Sequence, residues 1–389
     1  MGSDKVTDIL IAGGGLAGSA AAIHLGRMGL SVELFERGEF PKEKPCGEGL
    51  MPAGVAALDR LGAGGSIEGA PFLGIRYHFN GRTAEGRFPQ TGGVQSTGRG
   101  FRRRDLDGAL FAAARRTPGV TVRTGALVEA AHVENGRVAG LVVSGELRKG
   151  RLVIAADGAH SRLRHSLHLE QPGRRRRIGM RAHFRLQQGE QQSEWVDIHL
   201  CLGFEMYVTP LRHRELLVAA LAGKDMLRGP VEALFRRWCD EAPELSARLR
   251  NAEQISDLAV TSPLSGRADP RVRPGLVLLG DAAGFTDPIT GGGMTQAFLA
   301  AELLAQYASN GLETADRWIY SFDREREALL RDYRRLTGLM LKIADRPALI
   351  GRVIASINRF PRLFSHLLGV SGGVRHLWGG RVSPSRRER

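Results

Sequence analysis

The chain has 389 residues, 42% of them hydrophobic and 25% charged, with a net charge of +14; these proportions exclude a disordered or fibrous chain and bound the fold to two domains or one elaborated domain. Three widely spaced cysteines, Cys46, Cys201 and Cys239, exclude a disulfide framework and a CxxC metal site and point to a reducing cytoplasm. No apolar run reaches the ~20 residues of a bilayer span, and the start lacks the basic segment, apolar stretch and cleavage site of a secretory signal.

Ile9 to Ala12 form a short apolar run of the kind that makes a buried parallel strand. Gly13-Gly14-Gly15-Leu16-Ala17-Gly18 then supplies G-x-G-x-x-G, Ala20 to Leu25 carry a tight helical face, and Gly29 ends that helix. Val32–Phe35 is the next strand, and Glu36 closes the unit. Each part has its own physical need: Gly13 permits the tight turn, Gly15 lets backbone approach a pyrophosphate, and Gly18 permits close helix–strand packing. The helix N-terminus presents free N–H groups and a positive dipole end to phosphates. Glu36 would accept hydrogen bonds from ribose hydroxyls, which disfavours a 2′-phosphate. The segment predicts a dinucleotide site without choosing between NAD and FAD.

Lys44-Pro45-Cys46-Gly47-Glu48-Gly49-Leu50 is ambiguous. Cys46 is either a reactive thiol or a small one packed beneath a glycine turn. Glu48 is either a general acid or base, if burial raises its pKa, or the cap of a helix starting at Pro52. Phe72–Phe79 alternates as a strand, and Arg103, Leu106, Asp107 and Leu110 fall at a helix start. Val153–Ala156 is an apolar strand running into Asp157-Gly158 and on to Ser161 and Arg164; Asp157 and Ser161 also read as a strand-to-helix cap. Met180–Leu186, Trp195–Leu202, Glu205–Val208 and Leu216–Leu221 read as further strands, so the dinucleotide fold is interrupted twice. Leu276–Leu279 is a strand ending in Gly280-Asp281. After it come Pro288, Gly291-Gly292-Gly293 and an apolar helix from Met294 to Gln306. This second glycine-rich turn is a second anion site, suited to negative charge on the N1–C2=O edge of a reduced flavin, with Asp281 placed to take a ribityl or ribose hydroxyl.

His78, His199 and His213 lie on or beside the middle strands, as substrate-orienting or merely structural groups. Histidines and acids show no metal-ligand spacing, so no metal is expected. From Gly311 the pattern is helical, with Arg317–Leu341 packed on one side and Arg352–Leu368 more apolar, while Ser383–Arg389 looks disordered. The positive charge collects here: nine arginines stand against Glu388 alone from Arg346 onward. Without zinc-ligand spacing, an RNP-like strand or a basic zipper, that charge points to anionic cofactors, acidic substrates or a membrane surface rather than to nucleic acid. A basic amphipathic end can lie on an anionic membrane; the plainer expectation is a helical lid over a substrate cavity.

G-x-G-x-x-G with Glu36, R-x-x-L-D-x-x-L at Arg103, A-D-G-x-x-S-x-x-R at Asp157 and G-D…P-x-x-G-x-G at Asp281–Gly293 resemble the flavoprotein superfamily of para-hydroxybenzoate-hydroxylase type. That superfamily holds aromatic monooxygenases, geranylgeranyl-reductase-like saturases and flavin-dependent halogenases, and the motifs span Asp8 to about Leu304. The resemblance implies an α/β fold: a Rossmann-like FAD-binding domain of the GR2 type, an inserted antiparallel-sheet substrate domain and C-terminal helices. The expected divisions are 1–72, 96–175 and 262–310 for FAD, 73–95 and 176–261 for substrate, 311–382 for the helices and 383–389 for the tail. It implies non-covalent FAD, with NAD(P)H as a transient reductant. Gly13, Gly15, Leu16, Ala17, Gly18, Glu36 and Arg37 would hold the ADP half. Arg103 would sit by the pyrophosphate or ribityl chain, Leu127 or Val128 by adenine, and Asp157 and Gly158 by the phosphates. Asp281, Pro288, Gly291, Gly292, Gly293 and Met294 would hold the ribityl-isoalloxazine half.

The function so implied is an NAD(P)H-driven monooxygenase in which O2 adds at the flavin C4a position and the hydroperoxide hydroxylates an aromatic or polyketide-like substrate. Alternatives are a saturase of isoprenoid double bonds, motivated by Cys46 and the basic, apolar C-terminus; a halogenase, although W-x-W-x-I-P is missing; and a non-catalytic binding protein on the same fold. Cys46 and Glu48 are the candidate catalytic residues. The expected partners are a small apolar or aromatic substrate and O2, in the cytoplasm or peripherally at the inner membrane face.

Overall fold

The computed structural model describes residues 6–63, 65, 67–171 and 177–379; the tail 383–389 lies outside them. Two sheets organise the chain. The first is built from β1 (Thr7–Ala12), β2 (Val32–Phe35), β5 (Val120–Arg123), β6 (Val128–Glu134), β7 (Arg137–Val143), β8 (Glu146–Ala155) and β13 (Leu276–Leu278). Its order is β5-β2-β1-β8-β7-β6, with β13 against the end of β8. The ten-residue β8 has two partners in succession. Its first half pairs antiparallel with β7, and Gly150–Ala155 then runs parallel to β1. The centre of this sheet is apolar because both faces are covered: Ile9, Ile11 and Ile154 pack under the helices, and Leu10 and Val153 pack against Val128, Val138 and Leu141 of β6 and β7.

The second sheet takes β3 (Gly74–Phe79), β4 (Arg82–Arg87), β9 (Arg177–Arg185), β10 (Trp195–Leu200), β11 (Phe204–Pro210) and β12 (Glu215–Gly223) in the order β9-β12-β11-β10-β3-β4. All its neighbours are antiparallel except β10 and β3. One face packs Trp238 and Phe235 against Phe204 and Met206. The other turns Ile75, Tyr77 and Ile198 toward the C-terminal helices.

Helices α1 (Leu16–Arg27), α2 (Arg103–Arg116) and α3 (Gly293–Ala308) cover the first sheet, α1 and α3 meeting through Ala20, Ala21, Ala301 and Leu304. A 30-residue α4 (Ala315–Ala344) follows, then α5 (Pro347–Arg359) and α6 (Pro361–Ser371). The apolar stretch Arg352–Leu368 is thus two helices. Pro361 has no N–H and its ring bars the residue before it from helical geometry, so Phe360 sits at φ −123, ψ 69. Among the described residues no helix is long and apolar enough to cross a membrane.

Candidate functional site

The β1–α1 turn shows why its glycines differ. Gly13 has φ +99, and a Cβ there would stand 2.5 Å from the Ala156 carbonyl oxygen; one on Gly18 would overlap the Gly13 carbonyl. Both serve the close crossing of α1 over β1. Gly15 is different: its φ of −71 and ψ of −171 suit any residue, and nothing lies within 4 Å of where its Cβ would be. The space in front of it belongs to a cavity of about 1180 Å3.

Of the sequence-predicted residues, Gly13, Gly15, Glu36, Arg37, Arg103, Leu127, Val128, Asp157 and Gly158 line one end of this cavity. Leu16, Ala17 and Gly18 do not. They face inward in α1, because the helix turns that side onto the sheet. Glu36 Oε2 accepts from the Gly14 N–H at 2.9 Å, and Oε1 accepts from the Gly38 N–H at 3.0 Å and the Lys42 ammonium at 2.6 Å. Burial alone would push its carboxyl up, but Lys42 and the two N–H groups outweigh that and hold it below its usual value. Three of roughly four acceptor positions are filled, which leaves room for a ribose hydroxyl. Asp157 Oδ2 accepts from the Leu163 N–H at 3.3 Å, while its buried Oδ1 has no partner. Burial raises the Asp157 pKa. An orphaned buried oxygen beside an open glycine cradle fits a donor from a bound group. The cap expected here is Ser161, which accepts from the Arg164 N–H at 3.0 Å.

Asp281, Pro288, Gly291, Gly293 and Met294 line the middle of the same cavity. The 16-residue α3 begins at Gly293 with no side-chain cap, so its free N–H groups and dipole end are offered to a ligand. Gly292 departs from expectation. Its N–H donates to the Tyr333 hydroxyl at 2.9 Å, and a Cβ there would overlap the Tyr333 ring; this glycine admits α4 rather than a cofactor. Beneath the turn, Arg177 bridges Glu205 and Asp287, and burial pushes Glu205 up to about 7. Sequence patterning gave no sign of this triad, nor of Tyr333 or Lys42.

Cys46 lines the cavity, and the Arg103 guanidinium, fixed by Asp107 through two 3.0 Å bonds, interacts with its sulfur. Glu48 also lines the cavity, but it is not the cap of the helix at Pro52. Its carboxylate is fully buried, Oε1 accepting from the Arg103 N–H at 2.8 Å and Oε2 lying 2.8 Å from His183 Nε2. It therefore supports the start of α2, whereas the helix Pro52–Arg60 has no side-chain cap. Its two oxygens hold the Arg103 backbone and the His183 ring in place. Glu48→Ala leaves two buried partners unsatisfied and is expected to cost about 2–4 kcal/mol, with Glu48→Gln retaining most of that stability in denaturant titrations. Equal losses in the two variants would refute the assignment.

Beyond the glycine turn the cavity becomes aliphatic. Leu336 and Met340 of α4, Ile350, Val353 and Ile354 of α5 and Leu367 of α6 form its wall against Ile75 and Ile198. The C-terminal helices are its lid.

His78, His199 and His213 are not among the cavity-lining residues. His78 and His199 stack 4.5 Å apart on the other face of the sheet and come together with Glu244 within 4.8 Å, a grouping that sequence spacing hid. Arg76 and Arg248, both on Asp197 beside His78, put positive charge there and oppose a cation. Burial, with His78 alongside, lowers His199 from 6.5 to about 4. As pH falls through that window the unfolded chain takes up a proton that the folded one refuses, so stability falls by up to about 3 kcal/mol. His199→Gln should flatten the dependence of Tm on pH between those values; an unchanged slope would refute it.

The model of the family described as "FAD binding domain" matches residues 6–333. The chain is 27% identical to a menaquinone reductase of Mycolicibacterium smegmatis over 324 residues, covering 78% of this chain and 76% of the relative. It is 27% identical to a squalene epoxidase of Schizosaccharomyces pombe, covering 78% and 69%. Its fold is similar to that of a flavoprotein/dehydrogenase from Cytophaga hutchinsonii, with a TM-score of 0.82 at 20% identity over 94% of this chain and 92% of that one.

Proposed function

This chain belongs to the FAD-binding domain family, and from that premise we propose that it reduces an isolated carbon–carbon double bond in a long apolar substrate, with NAD(P)H restoring the reduced cofactor. It is an FAD-dependent oxidoreductase. The cradle at Gly15, the free oxygen of Asp157 and the open N-terminus of α3 fit FAD along its length, and we assign Gly13, Glu36, Arg37, Arg103, Val128, Asp281 and Gly293 to the same grip. The observation that carries the reading is the continuous aliphatic cavity leading from that turn to the C-terminal helices. The names of both relatives, a menaquinone reductase and a squalene epoxidase, support a lipid-soluble substrate.

When bound, reduced FAD supplies a hydride. Saturating the bond also needs a proton on the second carbon, and the chain's own candidate donor is the Cys46 thiol. The Arg103 guanidinium interacts with its sulfur, and solvent returns the proton to it. Cys46→Ala is expected to lower saturation about a hundredfold while FAD content is retained; full activity in the variant would remove the thiol from the mechanism.

Hydroxylation, the first expectation of the sequence resemblance, is the second reading, supported by the similarity to an epoxidase. Anaerobic incubation of the chemically reduced enzyme with a polyprenyl substrate separates the two. Mass spectrometry should find two added hydrogens per reacted bond and, in a parallel reaction under labelled O2, no label. Label in the product would establish oxygen insertion instead.

A further inference from the structure

Leu339 on α4, Arg352 and Ser356 on α5 and Leu363 on α6 are all exposed and all line the cavity, so the cavity reaches the surface among these helices, as it does at Pro45 and Gly47 on the nucleotide side. Leu339 and Leu363 are 51% and 50% exposed, and Phe360, one helical turn before Leu363 in sequence, is 54% exposed. Trp378, 85% exposed, joins the same side. The Leu377 N–H donates to Asp332 at 3.2 Å and His376 Nδ1 lies 3.3 Å from the same carboxylate, and Asp332 precedes Leu339 by two turns on one face of α4. The stretch from Arg346 to Val382 holds Arg346, Arg352, Arg359, Arg362, Arg375 and Arg381 and no acid.

Large apolar side chains grouped in water mark a docking surface. Interleaved with arginine they match the chemistry of an anionic bilayer interface, where the aromatic and aliphatic groups enter the headgroup boundary and the guanidinium groups meet lipid phosphates. The apolar tunnel behind the rim decides between a lipid surface and an acidic protein, because a substrate suited to that tunnel resides in lipid. We infer that this rim docks on an anionic lipid bilayer and that the substrate passes from the bilayer into the cavity between α4, α5 and α6. The inference rests on the reading of the substrate as long and apolar, but docking is measured without substrate, so the two fail separately.

The test uses the full FAD-loaded chain with vesicles of phosphatidylcholine alone or of equal parts phosphatidylcholine and phosphatidylglycerol. The chain should cosediment with the anionic vesicles, release as salt is raised, and stay in solution with neutral ones. Trp195, Trp238 and Trp318 are buried, so quenching by lipids brominated on their acyl chains reads Trp378, and Trp378→Phe should abolish that signal. Phe360→Glu, and separately the pair Arg359→Glu and Arg362→Glu, should weaken vesicle affinity by at least about tenfold with flavin content and circular dichroism unchanged. Failure to cosediment overturns the proposal. So does binding that persists in both variants with Trp378 unquenched, which would move the contact to another part of the chain.

Discussion

A Gly15→Ala protein is expected to express, to unfold as apoprotein at the wild-type temperature, and to leave purification without its yellow colour. The backbone at Gly15 is already extended, at φ −71 and ψ −171, so alanine adds no strain, and no protein atom lies within 4 Å of the new methyl. What the methyl does meet is the volume where a pyrophosphate would approach the N-terminus of α1. Forcing a group into a close-packed contact costs about 1–3 kcal/mol, which is roughly ten- to a hundredfold in the Kd of FAD. Gly18→Ala is the contrasting variant. Its methyl would overlap the Gly13 carbonyl, so helix and strand must separate, and both stability and flavin should be lost. Flavin absorbance per chain, read beside the melting temperature of the apoprotein, distinguishes the two. A yellow Gly15→Ala protein with near wild-type affinity would refute the placement of the pyrophosphate.

That contrast marks how far the sequence could be read. G-x-G-x-x-G, Glu36, Asp157 and the Asp281–Gly293 turn are legible because each is a local requirement: a turn that needs a positive φ, an N-terminus that needs room, an acid at the end of a strand. The strands of the second sheet are legible as short apolar or alternating runs, although β9 to β12 are buried on both faces along almost their whole length. What was misread depends on residues distant in sequence. Gly292 resembles its neighbours Gly291 and Gly293, yet Tyr333, 41 positions later, is what requires it to be glycine. Glu48 has helix-capping chemistry, but the helix it supports starts 55 residues on, and its other partner, His183, is 135 residues away. The meeting of His78, His199 and Glu244 needs a parallel strand pair and a separate helix to form first. The aliphatic cavity is likewise a product of α4, α5 and α6 closing on the second sheet. In sequence its lining is indistinguishable from the apolar face of any packed helix.

The cavity wall sets the other large effect, on which substrates react. Val353 on α5 is only half-buried yet lines the cavity. In Val353→Trp the added ring can extend into the lumen instead of displacing packed neighbours such as Ile350 and Ile354, which are buried against the sheet. Stability should therefore change by less than about 1 kcal/mol. The lumen beyond Val353 is where the distal part of a long chain would lie if the reacting bond sits near Gly293 and Cys46. Each methylene refused by an apolar pocket is worth about 1–3 kcal/mol, so kcat/KM for a long polyprenyl substrate should fall about a hundredfold or more. A short analogue that ends before the new ring should keep nearly its original value. The ratio of the two, measured on the same preparation, cancels differences in flavin content and active fraction. Equal losses for long and short substrates would mean that Val353 acts through the fold. No loss for either would mean that the substrate chain does not follow this wall, and the aliphatic cavity would then need another occupant.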